Sequence, residues 1–140
     1  MVAAVGLDAT ESLFPLAFAI VDQENKKSWV YFMKQLKGAI GKIADLVLVS
    51  DKHPTLIYAI ETVFPEAYHG HCYAHVKRNI KFQFKSEDST NLVYCAAYAY
   101  TLREYNHHMS ILQISFPDVH KYMIEMGPER WSRANFGGTR

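Results

Sequence analysis

The sequence has few cysteines, no long apolar run and almost no net charge, and each of these limits what the protein is. The two cysteines among 140 residues, Cys72 and Cys95, could form at most one disulfide. No signal peptide is visible, so we expect reduced thiols in an intracellular compartment. The longest apolar run, residues 14–21, is far too short to cross a bilayer. We therefore expect neither a disulfide scaffold nor a membrane-spanning protein.

Charges of the two signs nearly balance, at a formal net charge of +1. This balance excludes a broad basic field, so contact with nucleic acid must come from local cation clusters or from metal ions. Low-complexity, repeated and long like-charge segments are absent, which argues against disorder. The chain is the size of one domain, with a raised aromatic share of 14% and enough apolar content for a core.

The first part of the chain predicts a hairpin followed by a helix. Apolar runs at 2–8 and 13–21 flank a polar segment, as in two strands joined by a turn. Pro15 cannot donate to a strand ladder and favours an edge position. After Asn25 or Asp22 as N-cap, apolar residues recur at three- and four-residue steps, as in an amphipathic helix. The apolar positions are Trp29, Phe32, Met33, Leu36 and Ile40, and the outward lysines are Lys26, Lys27, Lys34 and Lys37.

A strand, a helix and a second strand are predicted next. Residues 43–49 form a nearly continuous apolar segment, the pattern of a strand buried on both faces. Pro54 suits the first turn of an amphipathic helix that Pro65 closes. Residues 67–73 are a candidate strand that leads into a third helix. That helix is expected to bury Val76, Ile80 and Phe84.

From residue 86 onward the pattern is helical. The predicted helices cover 92–100, 101–114 after a Thr101/Glu104 capping box, and 117–127. We therefore predict a single partial domain, with an α/β part at 1–85 and a helical segment at 86–140. Strand, helix and strand beside a hairpin imply a mixed sheet covered by helices, with active-site groups at strand ends.

Asp51 is the most informative position, because it follows a predicted buried strand and precedes a helix. A carboxylate there is fixed by the scaffold yet open to solvent, and it can hold Mg²⁺, which prefers oxygen ligands. Two-metal phosphoryl transfer needs several such carboxylates, with ions roughly 3.5–4 Å apart. The alternative is that Asp51 only caps the helix near Pro54. His53 is then an exposed residue at a helix start.

Cys72 and His75 have the C-x-x-H spacing, with His69 and His71 just before them. Such a pattern can supply two or more zinc ligands, but a closed structural zinc site needs four. The alternative is a buried thiol beside a hydrogen-bonded imidazole. A nucleophilic Cys–His dyad is conceivable but has no signature here. The residues that could complete a zinc site are His107, His108 and His120.

The third predicted helix also has a basic face, formed by Lys77, Arg78, Lys81 and Lys85. This face could contact DNA phosphates in a salt-sensitive way, although most such faces are only solvated. Four aromatic residues could stack on nucleic-acid bases, but packing against other side chains is the more common role of such residues. These residues are Tyr94, Tyr98, Tyr100 and Trp131.

The order of several short motifs is more specific than any single motif. They are Val5-Gly-Leu-Asp8, residues 14–21 followed by Glu24-Asn25 and Trp29, Ser50-Asp-Lys-His53, Ala59-Ile60, Phe64-Pro65, Cys72-x-x-His75 and Pro128-Glu-Arg-Trp131. In order and spacing, over essentially the whole chain, they resemble the Mutator-like (MULE) transposase domain of plants.

The resemblance implies an RNase H-like fold with a DDE-type acidic triad that uses Mg²⁺ or Mn²⁺ to cut DNA and join strands at transposon ends. Asp51 matches the second acidic residue of that triad. Cys72 and His75 match the family's C-x-x-H motif, whose role is structural or metal-related. The resemblance also implies DNA as the partner and a nuclear location, and it allows a homo-oligomer.

This chain departs from the family pattern at two of the three acids. In the family the first aspartate lies on a strand upstream of the point that corresponds to Met1, and the last acid is expected beyond Gly137-Gly138. Asp8 aligns with a hairpin turn and does not replace the first. The upstream strand is the central one in RNase H-like sheets, and without it two strand edges lack partners. We therefore expect either a fragment or a sheet that closes by an unusual pairing.

These departures lead us to expect a transposase-core fragment that is inactive alone. The alternative is a domesticated transposase relative that serves as a DNA-binding or transcription-regulatory module without catalysis. A small zinc-stabilised interaction module is a third reading, which predicts stoichiometric zinc and unfolding by a chelator.

Overall fold

Hydrogen bonding divides the strands of this protein into two separate pairs. The computed structural model describes residues 1–137 and is mixed α/β, with two two-stranded sheets and seven α-helices in that range. Two compact units are formed, one by residues 1–44 with 53–66 and one by 45–52 with the chain from 67 onward. The α/β class is confirmed, whereas the described residues do not form one mixed sheet. The RNase H-like arrangement stays a prediction.

The first unit begins with the predicted hairpin. β1 (Val2–Leu7) and β2 (Leu13–Ala19) pair in antiparallel fashion, with a β-bulge between Ala4 and Val5. Pro15 lies opposite Val5 at this irregularity. Both strands of a two-stranded sheet are edge strands, and an edge strand next to a bulge tolerates a residue without an N–H donor.

Asp8 closes the turn between these two strands. Its Oδ1 accepts hydrogen bonds from the Thr10 hydroxyl at 2.6 Å, from the Thr10 N–H at 2.8 Å and from the Ser12 N–H at 2.9 Å. These bonds, the one from the Thr10 hydroxyl first, lower the pKa of Asp8. Asp8 therefore forms the turn, in agreement with the interpretation that it does not replace the first catalytic aspartate.

α1 (Lys26–Ile40) is the predicted amphipathic helix. Asn25 is its N-cap, and the Asn25 side chain accepts a hydrogen bond from the Ser28 N–H at 3.0 Å. The helix ends at Gly41, whose φ of 70° favours a residue without a Cβ. Three side chains of α1 are buried: Phe32, Met33 and Leu36.

α2 (Pro54–Val63) packs against α1 within the same unit, and its first turn contains Pro54 as predicted. Lys37 Nζ donates a hydrogen bond to the Val63 carbonyl at 2.7 Å and lies 5.6 Å from the centroid of the Phe64 ring. Lys37 thus joins the two helices. The buried apolar residues of α2 are Leu56, Ala59, Ile60 and Val63.

The second unit contains a pair of parallel strands, β3 (Val47–Ser50) and β4 (Tyr68–His71). β3 begins later than the predicted segment, because Asp45 has a φ of 54° and interrupts the extended chain. β4 ends at His71 because Cys72 is already the N-cap of the next helix.

The prediction that β3 is buried on both faces is wrong. Val49 is 55% exposed, and the other residues of β3 are only half-buried. The reason is that the described residues give β3 one partner strand, β4. Apolar character alone does not distinguish a central strand from an edge strand.

Helices make up the remaining elements of the second unit. They are α3 (Tyr73–Phe84), α4 (Glu87–Tyr98), α5 (Leu102–Ser115), α6 (Pro117–Met126), α7 (Pro128–Trp131) and a 3-10 turn at Arg133–Asn135. α4 begins before the predicted start at Leu92, because the Ser86 side chain caps it by accepting from the Ser89 N–H at 3.2 Å. The capping box of Thr101 and Glu104 is confirmed. Within residues 1–137, no helix has the length and apolar character needed to cross a membrane.

The core of the second unit surrounds Trp131. This side chain is 1% exposed, and its Nε1 donates a hydrogen bond to the Met123 carbonyl at 2.9 Å. The Tyr105 ring lies 5.8 Å away, centroid to centroid. Core packing is therefore confirmed for Trp131. Other buried members are Val76, Ile80, Val93, Ala96, Leu112, Val119 and Met123.

Candidate functional site at the ends of the parallel strands

The carboxyl ends of β3 and β4 bring several polar residues of the second unit together. Because the strands are parallel, these ends lie at one edge of the pair. Asp51 follows β3 and Cys72 follows β4, and the Cys72 N–H donates a hydrogen bond to the Ser50 carbonyl at 2.7 Å. In α/β sheets this edge is where ligands commonly bind.

Asp51 keeps a partly exposed carboxylate, with a side-chain exposure of 43%. Oδ1 accepts a hydrogen bond from the Lys52 N–H at 2.7 Å, and Oδ2 lies 4.0 Å from His75 Nε2. The alternative role of Asp51 as cap of α2 is not what the structure shows. The N-cap is the exposed His53, whose Nδ1 is 2.8 Å from the Thr55 hydroxyl.

A chain of hydrogen bonds leads to the backbone of Asp51. Arg130 Nη1 lies 2.9 Å from His69 Nδ1, and because a guanidinium only donates, this ring nitrogen accepts. The Nε2–H tautomer of His69 then donates to Ser50 Oγ at 2.8 Å, and Ser50 Oγ donates to the Asp51 carbonyl at 2.8 Å. A doubly protonated His69 could not accept from Arg130, so this arrangement requires a neutral ring.

Lys52 is a functional candidate that sequence reasoning missed. Its Nζ donates a hydrogen bond to the Tyr122 hydroxyl at 2.7 Å and lies 4.5 Å from the centroid of that ring. The two residues are 70 positions apart, so no local sequence pattern predicts this pair. Lys52 directly follows Asp51, and the contact with Tyr122 fixes the position of its ammonium group.

Two histidines of this site have a buried ring nitrogen without a hydrogen-bond partner among the described residues. They are His71, which is 3% exposed, and His75. Burial, followed by the positive charges of Arg130 and Lys52, lowers the pKa of His71. Burial therefore favours the neutral form of His71 inside the second unit.

The buried His71 is expected to make the second unit sensitive to acid. The pKa of His71 in the folded chain lies below its ordinary value of 6.5, so the unfolded chain takes up this proton first as the pH falls. The stability that neutral His71 contributes is present above the unfolded pKa and is lost as the pH falls from there toward the folded pKa. Thermal unfolding should give a lower Tm at about pH 5.5 than at about pH 7.5. The expected drop is about 3–5 °C for each kcal/mol by which the free energy of unfolding falls.

His71→Gln removes the titrating group, so its Tm should fall less over the same pH interval. His53→Gln, at the exposed histidine before α2, should behave like the original chain. Equal acid sensitivity of all three proteins would contradict the role given to His71.

The described residues do not complete a metal site. In residues 1–137, no group of three or more His, Cys, Asp and Glu side chains is arranged to hold an ion. His107 and His108 lie beside each other on α5, with ring centroids 5.4 Å apart. Neither they nor His120 form such a group with Cys72 and His75, and Asp51 is a single carboxylate. Zinc at Cys72 and His75 therefore stays a prediction. The position beyond Gly137-Gly138, where the resemblance expects the last acid, lies outside the described residues.

The basic face predicted for α3 is partly neutralised. Lys77, Arg78 and Lys81 are all exposed, but Lys81 Nζ forms an ion pair with Glu87 Oε2 at 2.6 Å. An occupied ammonium group attracts a phosphate less strongly than a free one. The cationic contribution of this face thus comes mainly from Lys77, Arg78 and the exposed Lys85.

The tyrosines of α3 and α4 pack against one another. The ring centroids of Tyr94 and Tyr98 are 4.7 Å apart, and Tyr73 lies 5.7 and 5.5 Å from them. The guanidinium of Arg133 lies 4.1 Å from the centroid of the exposed Tyr100 ring. Packing therefore accounts for Tyr94 and Tyr98, whereas Tyr100 is 74% exposed and lies beside Arg133 at the surface.

Comparison with known proteins identifies the region that contains this site. Residues 1–79 match the MULE transposase domain, a range that includes Asp51, Cys72 and His75 and is shorter than the whole-chain resemblance. The transposase for insertion sequence element ISRM5 of Rhizobium meliloti (strain 1021) is 40% identical over 76 residues, which are 54% of this chain and 19% of that protein. The chain thus spans a small part of this relative. Since the family match covers more than half of the 140 residues, the chain belongs to the MULE transposase domain family.

Proposed function

We propose that this chain is part of the catalytic core of a DNA transposase and that Asp51 is one of its metal-binding acids. The observation that carries the proposal is the position of Asp51. Its carboxylate is partly exposed at the carboxyl end of a parallel strand, inside the range that matches the family. Carboxylates of this kind are ligands for Mg²⁺ or Mn²⁺.

The contacts around Asp51 support a fixed position for this carboxylate. The Arg130, His69 and Ser50 chain holds the backbone at Asp51, and the Lys52 N–H holds Oδ1. A metal-binding acid needs such support, because supporting groups around metal ligands commonly affect affinity or activity about 10- to 100-fold.

The RNase H-like architecture is a second part of the proposal. An antiparallel hairpin is followed along the chain by two parallel strands with a helix between them in sequence, as the resemblance expects. The remaining acids and the central strand would come from sequence outside these 140 residues. The ISRM5 relative, of which the match covers 19%, is long enough to include further segments.

DNA as substrate follows from this proposal, as does a structural or metal-related role for Cys72 and His75. The bacterial relative does not bear on the plant and nuclear assignments, which stay predictions of the resemblance.

The test is to extend the reading frame in both directions and to assay the extended protein. The proposal expects an aspartate upstream, an acidic residue downstream, and cleavage of transposon-end DNA that depends on Mg²⁺ or Mn²⁺. An intact fold with both flanking acids substituted, and with DNA binding but no cleavage, would instead identify a domesticated binding module.

A further inference from the structure

The first unit has a basic surface of its own, formed by residues of α1 and α2. α1 contains four lysines and no acidic residue. Lys37 is engaged with the Val63 carbonyl. The other three lysines line a shallow groove between α1 and α2, with a volume of about 410 Å³. The residues of this α1–α2 groove are Lys26, Lys27, Val30, Tyr31, Lys34 and Tyr58.

The three lysines of the groove are exposed, and none forms an ion pair with a described carboxylate. Lys26 and Lys34 are eight residues apart on one helix, a distance of about 12 Å at 1.5 Å per residue. Such a span faces several consecutive phosphates of a nucleic-acid strand. The groove is therefore a local positive surface on a chain whose overall charge is close to zero.

Two aromatic rings lie among these cations. Tyr31 is 60% exposed and Tyr58 is 46% exposed. Lys26 Nζ is 4.6 Å from the centroid of the Tyr58 ring, a cation–π contact that keeps the ammonium group at the groove. Tyr31 is the more exposed of the two rings and lines the same groove. Cations that track a backbone together with an aromatic ring for stacking are the combination used to bind single strands.

We propose that the α1–α2 groove binds a short stretch of single-stranded nucleic acid, with phosphates at Lys26, Lys27 and Lys34 and an unpaired base on Tyr31. A duplex hides the faces of its bases, whereas an unpaired base presents them to a tyrosine. An acidic peptide or a lipid headgroup would use the positive charge but leave the exposed ring without a stacking partner. This inference goes beyond the proposed function, since it assigns a binding surface to the first unit.

The test is fluorescence anisotropy of a labelled oligothymidylate of about 12 nucleotides with the purified chain, over about 50–200 mM salt. For the Lys26→Gln, Lys27→Gln, Lys34→Gln triple variant, the slope of log affinity against log salt should become shallower by about 2. The reason is that each phosphate contact on a single strand contributes about 0.7. The single change Lys34→Gln should weaken binding, whereas Lys42→Gln, which removes one charge at an exposed lysine outside the groove, should not.

Tyr31 tests the stacking contact by itself. Tyr31→Ala should weaken binding about 5- to 150-fold, the effect of losing one stacked base, and Tyr31→Phe should retain it. Equal effects of Lys34→Gln and Lys42→Gln would overturn the proposal. So would unchanged binding by Tyr31→Ala, equal affinity for a blunt duplex, or binding to anionic vesicles without binding to the oligonucleotide.

The outcome is separable from that of the transposase proposal. An oligouridylate of the same length tells whether the sugar matters, and groove-dependent binding of either strand supports the inference. An extended protein that cleaves DNA with the groove lysines replaced and its oligonucleotide affinity unaltered would refute only the groove.

Discussion

In the protein extended by its flanking reading frame, Asp51→Asn is expected to reduce DNA cleavage at least about 100-fold. That value is the upper end of what loss of a supporting group costs a metal site, and a direct ligand should matter at least as much. Asparagine keeps the size of the side chain but removes the negative charge that favours a divalent cation. Cleavage rates with Mg²⁺ and with Mn²⁺ measure the effect.

Asp45→Asn is the matched control for Asp51→Asn. It removes one carboxylate from the segment just before β3, and asparagine tolerates the left-handed conformation that Asp45 adopts. This control should keep both cleavage and Tm. Because Asp51 is partly exposed, its replacement should also leave Tm nearly unchanged, which separates loss of function from loss of fold. Full cleavage by Asp51→Asn would end the proposed role.

Trp131→Ala is expected to destabilise the second unit by about 3–5 kcal/mol. The side chain is 1% exposed and contacts a core built from four helices, so truncation leaves a cavity and also removes the hydrogen bond to the Met123 carbonyl. Against a typical total stability of about 5–15 kcal/mol, this loss would leave a marginal or unfolded unit. Urea unfolding followed by circular dichroism measures it.

Two further variants test the reason for that loss. Tyr100→Ala removes an aromatic ring that is 74% exposed and should cost much less than Trp131→Ala. Trp131→Phe keeps most of the apolar volume and should fall between the two, because it loses the Nε1 hydrogen bond and part of the packing. A cost for Trp131→Ala as small as that of Tyr100→Ala would contradict the central position of Trp131 in the core.

Local signals along the chain were sufficient for most helices and for the hairpin. The Asn25 cap of α1 and the Thr101/Glu104 capping box of α5 act between residues three positions apart. Local rules can therefore locate them without knowledge of the fold. Where a cap was overlooked, as at Ser86, the predicted start of α4 was wrong.

The burial of a strand is harder to predict from the local sequence pattern than the presence of a helix. The apolar segment ending at Val49 has the composition of a strand buried on both faces, but burial depends on how many strands and helices lie beside it. In the described residues β3 pairs only with β4, and Val49 is 55% exposed. The composition of a strand shows how much apolar surface it can bury, but it does not show which other strands and helices will cover that surface.

The sequence by itself determined the α/β class, the hairpin, most of the helices and the family, through the order of short motifs. Only the tertiary structure decided which groups surround Asp51. Arg130 reaches His69 across 61 positions, and Lys52 reaches Tyr122 across 70. Helical and strand periodicity extends over a few residues, so contacts between such distant positions are fixed by the packing of whole elements and not by any local pattern.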